Sequence, residues 1–223
     1  APYAGRPAIV IYARDITERL RLEGEIQEQK KIIEEKNKDI TDSIEYAKRL
    51  QRSVFLDKDR LKEIAPESFI FFKPRDIVSG DFYWFTEMSV SREISLNDGS
   101  KIANGTKFLI VAAVDCTGHG VPGAFMSIIG NTLLNQTVGA DELNTPADAL
   151  NFLNRELKNM LSQKADEAPI RDGMDMSLCA IDFKNYKLSY AGANNPVYIV
   201  RNRIIVELKP DKQPITASGE TAS

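Results

Sequence analysis

The sequence predicts an α+β or layered α/β domain preceded by a long helix, and three observations carry that expectation. Short apolar runs rich in strand-forming residues recur from residue 68 to residue 208. Only two stretches between them read as helices. In front of them, residues 17–55 hold no proline and one glycine, Gly24, and are dominated by Glu, Lys, Gln, Arg, Leu and Ile, a composition that favours helix. Strand and helix do not alternate strictly, which argues against a doubly wound nucleotide fold.

Composition narrows the class. The 223 residues suit one moderate domain with an appendage. A net charge of -3 leaves no basic footprint for nucleic acid. No stretch has the length of a bilayer span, and the start lacks the charged and apolar regions of a secretory signal. Cys116 and Cys179 are too few for a disulfide framework, so a cytoplasmic setting is expected, with membrane attachment through upstream segments left open.

Residues 7–13 (PAIVIYA) read as a strand opened by Pro7, either the last strand of another domain or an edge addition. The helix that follows has Asp15 or Thr17 as a cap and would be roughly 55 Å long at 1.5 Å per residue. Ile26, Ile33, Ile40, Ala47 and Val54 recur every seven residues, a seam suited to a parallel two-stranded coiled coil and hence a homodimer. Gln29, Lys36, Ser43 and Leu50 fill the companion positions, and Ile32 and Ile44 lie off register, so the seam is thin. Such a stalk either switches or only spaces. Over residues 44–56 the pattern sharpens, with Ile44, Ala47, Leu50 or Gln51, Val54 and Phe55 able to face a globular body. Residues 57–66 read as a turn and short helix.

Strands are expected at 68–73 (SFIFFK), 82–85 and 108–114, with a hairpin or excursion over 86–107. A helix should run from about Pro122 through Leu134. Another should start at Thr145-Pro146, with Thr145 as cap and Leu150, Leu153, Leu157, Met160 and Leu161 as its apolar face. Residues 165–172 read as a polar loop. Strands at 176–183, 187–191, 196–200 and 204–208 complete the domain, the last two joined around Asn202.

The candidate chemistry lies at strand tips. Asp81 follows Gly80 at the start of one apolar run, and Asp115 ends another, next to a turn holding Gly118, His119 and Gly120. Hard divalent cations such as Mn²⁺ and Mg²⁺ prefer carboxylate oxygens, and strand ends hold such side chains rigidly. One histidine and two dispersed cysteines do not supply a zinc set. A metal pair would activate water and clamp phosphoryl oxygens. His119 would donate a proton to the leaving alkoxide or hydrogen-bond the phosphate. Its plainer role would be to cap the turn or the next helix.

Several segments together resemble the SpoIIE-like serine phosphatases, the bacterial branch of the PPM (PP2C-like) family: DSIEYAKRLQRSVF (42–55), FKPRDIVSGDFYWF (72–85), VDCTGHGVPGAFMSIIG (114–130), DGMDMSLCAID (172–182), LSYAGANNPVYIV (188–200) and DKQPI (211–215). The resemblance implies an α-β-β-α sandwich, two Mn²⁺ or Mg²⁺ ions, and attack by water on phosphoserine or phosphothreonine. It implies metal binding by Asp81, Asp115 and the backbone carbonyl of Cys116. It places Asn194 and Asn195 in a structural or cleft-lining turn, and does not make Asp172 or Asp175 principal ligands. A phosphoprotein substrate is implied, in relatives often an anti-sigma-factor antagonist with a STAS fold.

Residues 5–19 (GRPAIVIYARDITER) are similar to the end of a PAS sensor domain. The resulting organisation is a PAS-like remnant at 1–16, a helical linker and switch at 17–56, a phosphatase domain at 57–215 and a tail at 216–223. Relatives continue past the DKQPI-like segment with a TDG-like motif and an aspartate-rich strand, whereas here TASGETAS follows. The domain is therefore expected to be C-terminally incomplete, and the chain as given inactive or short of a two-metal centre. The alternative is a catalytically inactive phosphoprotein-binding or dimeric signalling scaffold. A sensor kinase would need a phosphoacceptor histidine, and the stalk has none.

Overall fold

A computed structural model describes residues 11–91, 93–95, 99, 101–138, 145–161 and 172–216. Most of the expected strand at 7–13, the expected loop at 165–172 and the tail after Thr216 lie outside them. Residues 11–16 form no regular element. The chain divides into two compact units, one ending at Ser43 and the other beginning at Ile44.

The first unit contains the start of helix α1 (Thr17–Val54). The Asp15 carboxylate accepts a 2.9 Å hydrogen bond from the Thr17 N–H, as a cap should. Pairs one turn apart, Arg19 with Glu23 and Arg21 with both Glu18 and Glu25, line its surface. Ile26, Ile33 and Ile40 are all exposed. Among the described residues, none covers these three isoleucines of the seven-residue stripe.

The second unit opens with the end of α1 and continues into α2 (Lys58–Ile64), capped by the Asp57 side chain. Its centre is an antiparallel sheet ordered β1 (Phe82–Ser89), β4 (Lys107–Cys116), β5 (Gly173–Asp182) and β6 (Lys187–Ala193), with β9 (Ile215–Thr216) also paired to β5. Two-residue strands β2 (Ile94–Ser95) and β3 (Lys101–Ile102) form the hairpin expected between residues 86 and 107. Strands β7 (Val197–Arg201) and β8 (Ile204–Leu208) form another, turned by Asn202 and Arg203 at positive φ.

Helices α3 (Gly120–Thr137) and α4 (Pro146–Leu161) cover one face of the sheet. Phe82, Trp84, Ala112, Val114, Met176 and Leu178 meet Met126, Leu133, Leu134, Leu153 and Leu157 there, all buried. Thr145 caps α4 as expected: its hydroxyl accepts from the Asp148 N–H while the Asp148 carboxylate accepts back from Thr145. On the opposite face Phe85 and Leu109 pack with Leu61 of α2, leaving a smaller second core.

Three expectations need correction. Residues 68–73 are not a strand: no neighbour pairs with them among the described residues, although their burial alternates. Ile70 and Phe72 turn inward, with Phe72 edge-on to Tyr83, while Phe69 and Phe71 face solvent. Of the two central sheets implied, one is present with five strands; the described residues otherwise form only the two hairpins. In the last turns of α1, Leu50 is 49% exposed and Val54 is exposed as well. Ile44, Ala47, Gln51 and Phe55 make the inward stripe, at the 3–4 residue spacing of one helix face.

Candidate active site

Strand register gathers the polar residues. Phe82 pairs with Val114, so Asp81, one residue earlier, comes opposite Asp115. Asp115 in turn pairs with Asp175. Ser177 pairs with Gly192, which carries the same row on to Asn194, and the Asn194 amide donates a 2.9 Å hydrogen bond to Asp175. Because side chains alternate along a strand, Val114 and Cys116 enter the helix-side core while Asp115 points to the other face. Asp81 and Asp115 sit within hydrogen-bond reach of each other. Partial burial, then the hydrogen bond to Asp81 and its charge, raise the Asp115 carboxyl above its ordinary range.

Glycines make this corner possible. Gly118 and Gly120 take positive φ, 87° and 63°. A Cβ on Gly80 would stand 2.9 Å from the Gly118 carbonyl oxygen and 3.3 Å from that of Cys116. One on Gly123 would stand 2.7 Å from the same Gly118 oxygen. Three backbone segments therefore meet where only glycine fits, and their contact fixes the start of β1 against the turn after β4.

His119 occupies the N-cap position of α3, yet its side chain makes no capping bond. Its Nδ1 instead lies 3.2 Å from Asp76 Oδ2, with the imidazole 70% exposed. The Cys116 side chain is buried in the core, and burial pushes its thiol up to about 12. Only its backbone can serve the site.

The family model described as Stage II sporulation protein E (SpoIIE) matches residues 105–222, more than half of the chain. The chain belongs to the SpoIIE family. It is also similar to a solved structure described as the SiaA-PP2C domain of Pseudomonas aeruginosa, at 30% identity and a TM-score of 0.62. That match covers 80% of this chain and 63% of the other, so the chain spans less than two thirds of its relative. No curated protein matches the chain. The α+β arrangement is that of a PP2C/SpoIIE-like phosphatase domain.

The donors in this SpoIIE domain are of the right kind for a hard cation: two carboxylates brought together at an energetic cost, close to the Cys116 and Gly118 backbone carbonyls that pack against Gly80. Their number is short. Among the described residues no group of three or more His, Cys, Asp or Glu side chains converges closely enough to hold an ion. Among the same residues, no helix is long and apolar enough to cross a membrane.

Asp81, Asp115, Cys116, Gly80, Gly118, His119 and Gly120 of the expected site thus lie together at one end of the sheet. Asp76 and Gly123 had no sequence signal beyond lying in the matching segments. Asp175 was visible as an acid, but its place in the row depends on the β4–β5 register, which no local pattern reveals.

Proposed function

We propose that the complete protein hydrolyses phosphoserine or phosphothreonine on a partner protein, in a Mn²⁺- or Mg²⁺-dependent reaction, two ions serving the complete enzyme. The observation that carries this reading is the pairing of the Asp81 and Asp115 carboxylates beside the Gly118–Gly120 turn. Asp81, Asp115 and the Cys116 carbonyl would hold the cation, which when bound supplies Lewis acidity toward phosphoryl oxygens and the attacking water. His119, steadied at Nδ1 by Asp76, keeps Nε2 available for the phosphoryl group. Hydrolysis forms one bond from water oxygen to phosphorus and breaks the bond from phosphorus to the serine oxygen. That oxygen takes a proton from His119, and the proton released by the water goes to solvent, from which the imidazole is reprotonated.

The partner is a phosphoprotein, with a STAS-type anti-sigma-factor antagonist as the class to try first. The seven-residue spacing of the exposed Ile26, Ile33 and Ile40 supports a parallel homodimer, and the end of α1 supports control by an upstream sensor. The full-length protein should release phosphate from a phosphoserine peptide with Mn²⁺, and Asp115→Asn should not. Absence of phosphate release from the wild type at any Mn²⁺ concentration would sink the reading. Among the described residues no three or more His, Cys, Asp or Glu side chains gather to hold an ion, which favours a second reading, a phosphoprotein-binding scaffold. In that case the same peptide would bind with no turnover.

A further inference from the structure

We infer that Gln51 is the positioning residue of Asp81. Gln51 is the one fully buried side chain of α1, 4% exposed. Its Nε2 donates to the Ser79 carbonyl at 2.6 Å and to the Ser127 hydroxyl at 2.8 Å, and its Oε1 accepts from the Ser79 N–H at 3.2 Å. One planar amide therefore takes both backbone polar groups of Ser79, two residues before Asp81. It does so where the chain from residue 74 to residue 81 has no strand or helix to hold it.

Buried amides are costly unless every polar atom is paired, and here donor and acceptor both are. Ser127 is itself fixed, its hydroxyl donating to the Ala124 carbonyl within α3. Gln51 thus ties the end of α1, the segment before β1 and the helix after the Gly118 turn into one hydrogen-bonded unit. Asp81 is held from both sides: by the Ser79 clamp before it and by the Phe82–Val114 pair after it. Gly80 between them, pressed against the Gly118 carbonyl, leaves little slack. An apolar side chain of the same size would fill the space and leave Ser79 unpaired.

The consequence for catalysis rests on the phosphatase reading, but the clamp itself does not. Gln51→Leu and Ser127→Ala in the full-length protein test both. In Gln51→Leu, amide hydrogen exchange at residues 78–82 should speed up while β4 and β5 keep their protection. The Mn²⁺ concentration for half-activation should rise about tenfold, as for other residues that orient a metal ligand, with the phosphopeptide KM within about twofold. Ser127→Ala keeps the Ser79 clamp and should stay within about threefold of wild type in both readouts.

Unchanged exchange at 78–82 in Gln51→Leu would overturn the proposal. So would faster exchange with an unchanged Mn²⁺ requirement. If Gln51→Leu does not fold, Gln51→Asn, one methylene shorter, carries the same test. If the wild type shows no phosphatase activity, that reading fails separately. Exchange at 78–82 and Mn²⁺ affinity by calorimetry then decide the role of Gln51, and no change in either overturns it.

Discussion

Asp81 faces Asp115 across β1 and β4, one step beyond the Phe82–Val114 pair, and partial burial together with Asp81 beside it holds the Asp115 carboxyl above its ordinary range. Such a pair is uncomfortable when both groups are charged. The folded value of Asp115 is raised above its ordinary 3.8, so its contribution to stability is present below that value and is lost as pH rises through the folded one. At neutral pH without metal the pair therefore works against folding.

Asp115→Asn should consequently raise the melting temperature of the metal-free protein at pH 7 by a few degrees, about 2–4 °C for each kcal/mol relieved. The gain should shrink as pH falls below the raised Asp115 value, where Asp115 already carries its proton in the wild type, and in saturating Mn²⁺, whose charge offsets the carboxylates. Activity should fall more than the roughly 10–100-fold typical of residues one step removed from a metal. Melting curves at neutral and acid pH, with and without Mn²⁺, check the sign. A variant less stable than wild type at pH 7 without metal would contradict it.

Cys116 offers a pH dependence of the opposite practical range. Its thiol moves from 9.0 to about 12 on burial, so the unfolded chain ionises first and stability is lost as pH climbs from 9 toward 12. Cys116→Ala removes that term. Between pH 8 and 10.5 the wild type should lose about 2 kcal/mol more than the variant, at ~1.4 kcal/mol per pH unit. Cys179, pushed up to about 11, contributes to both proteins equally. Urea titrations at the two pH values measure the difference, and parallel losses would show that the Cys116 thiol ionises freely in the fold.

Gly80→Ala and Gly123→Ala each place a methyl group against backbone rather than a flexible side chain, 2.9 Å and 2.7 Å from the Gly118 oxygen. Relief requires the β1 start and the turn after β4 to move apart. Each should cost about 1–3 kcal/mol in denaturant titrations, and each should lower activity beyond that loss because Asp81 moves with the backbone. Gly24→Ala, in open space on α1, is the control and should be neutral or slightly stabilising.

What could be read from the sequence followed from local chemistry. The β7–β8 hairpin was legible from its alternating apolar runs around Asn202, and α4 from its Thr145-Pro146 start and leucine spacing. The Asp81 and Asp115 pair was legible because Asp81 follows Gly80 at the start of an apolar run and Asp115 ends another just before the Gly118–Gly120 turn. Residues 68–73 misled because SFIFFK has the composition and alternation of a strand, while strandhood needs a hydrogen-bonding neighbour that composition does not report. Gln51 was hard to prefer over Leu50, since hydrophobic patterning favours the leucine. Only the polar groups of Ser79 and Ser127 waiting in the interior make the glutamine the better inward residue.

That choice between adjacent residues can be tested directly. Ile44 lines a groove with Asp76, Val78 and Val121, so Ile44→Ala should lose packing and cost about 1–2 kcal/mol, discounted from a full core truncation because Ile44 is only half-buried. Leu50, half exposed on the outer side of the same helix, should cost within about 0.5 kcal/mol when changed to Ala. Hydrogen exchange over residues 44–55 should follow the same order, faster in Ile44→Ala and unchanged in Leu50→Ala. If Leu50→Ala proved the more damaging, the last turns of α1 would present a different face to the sheet and its helices. Gln51 could then not reach Ser79 and Ser127 together.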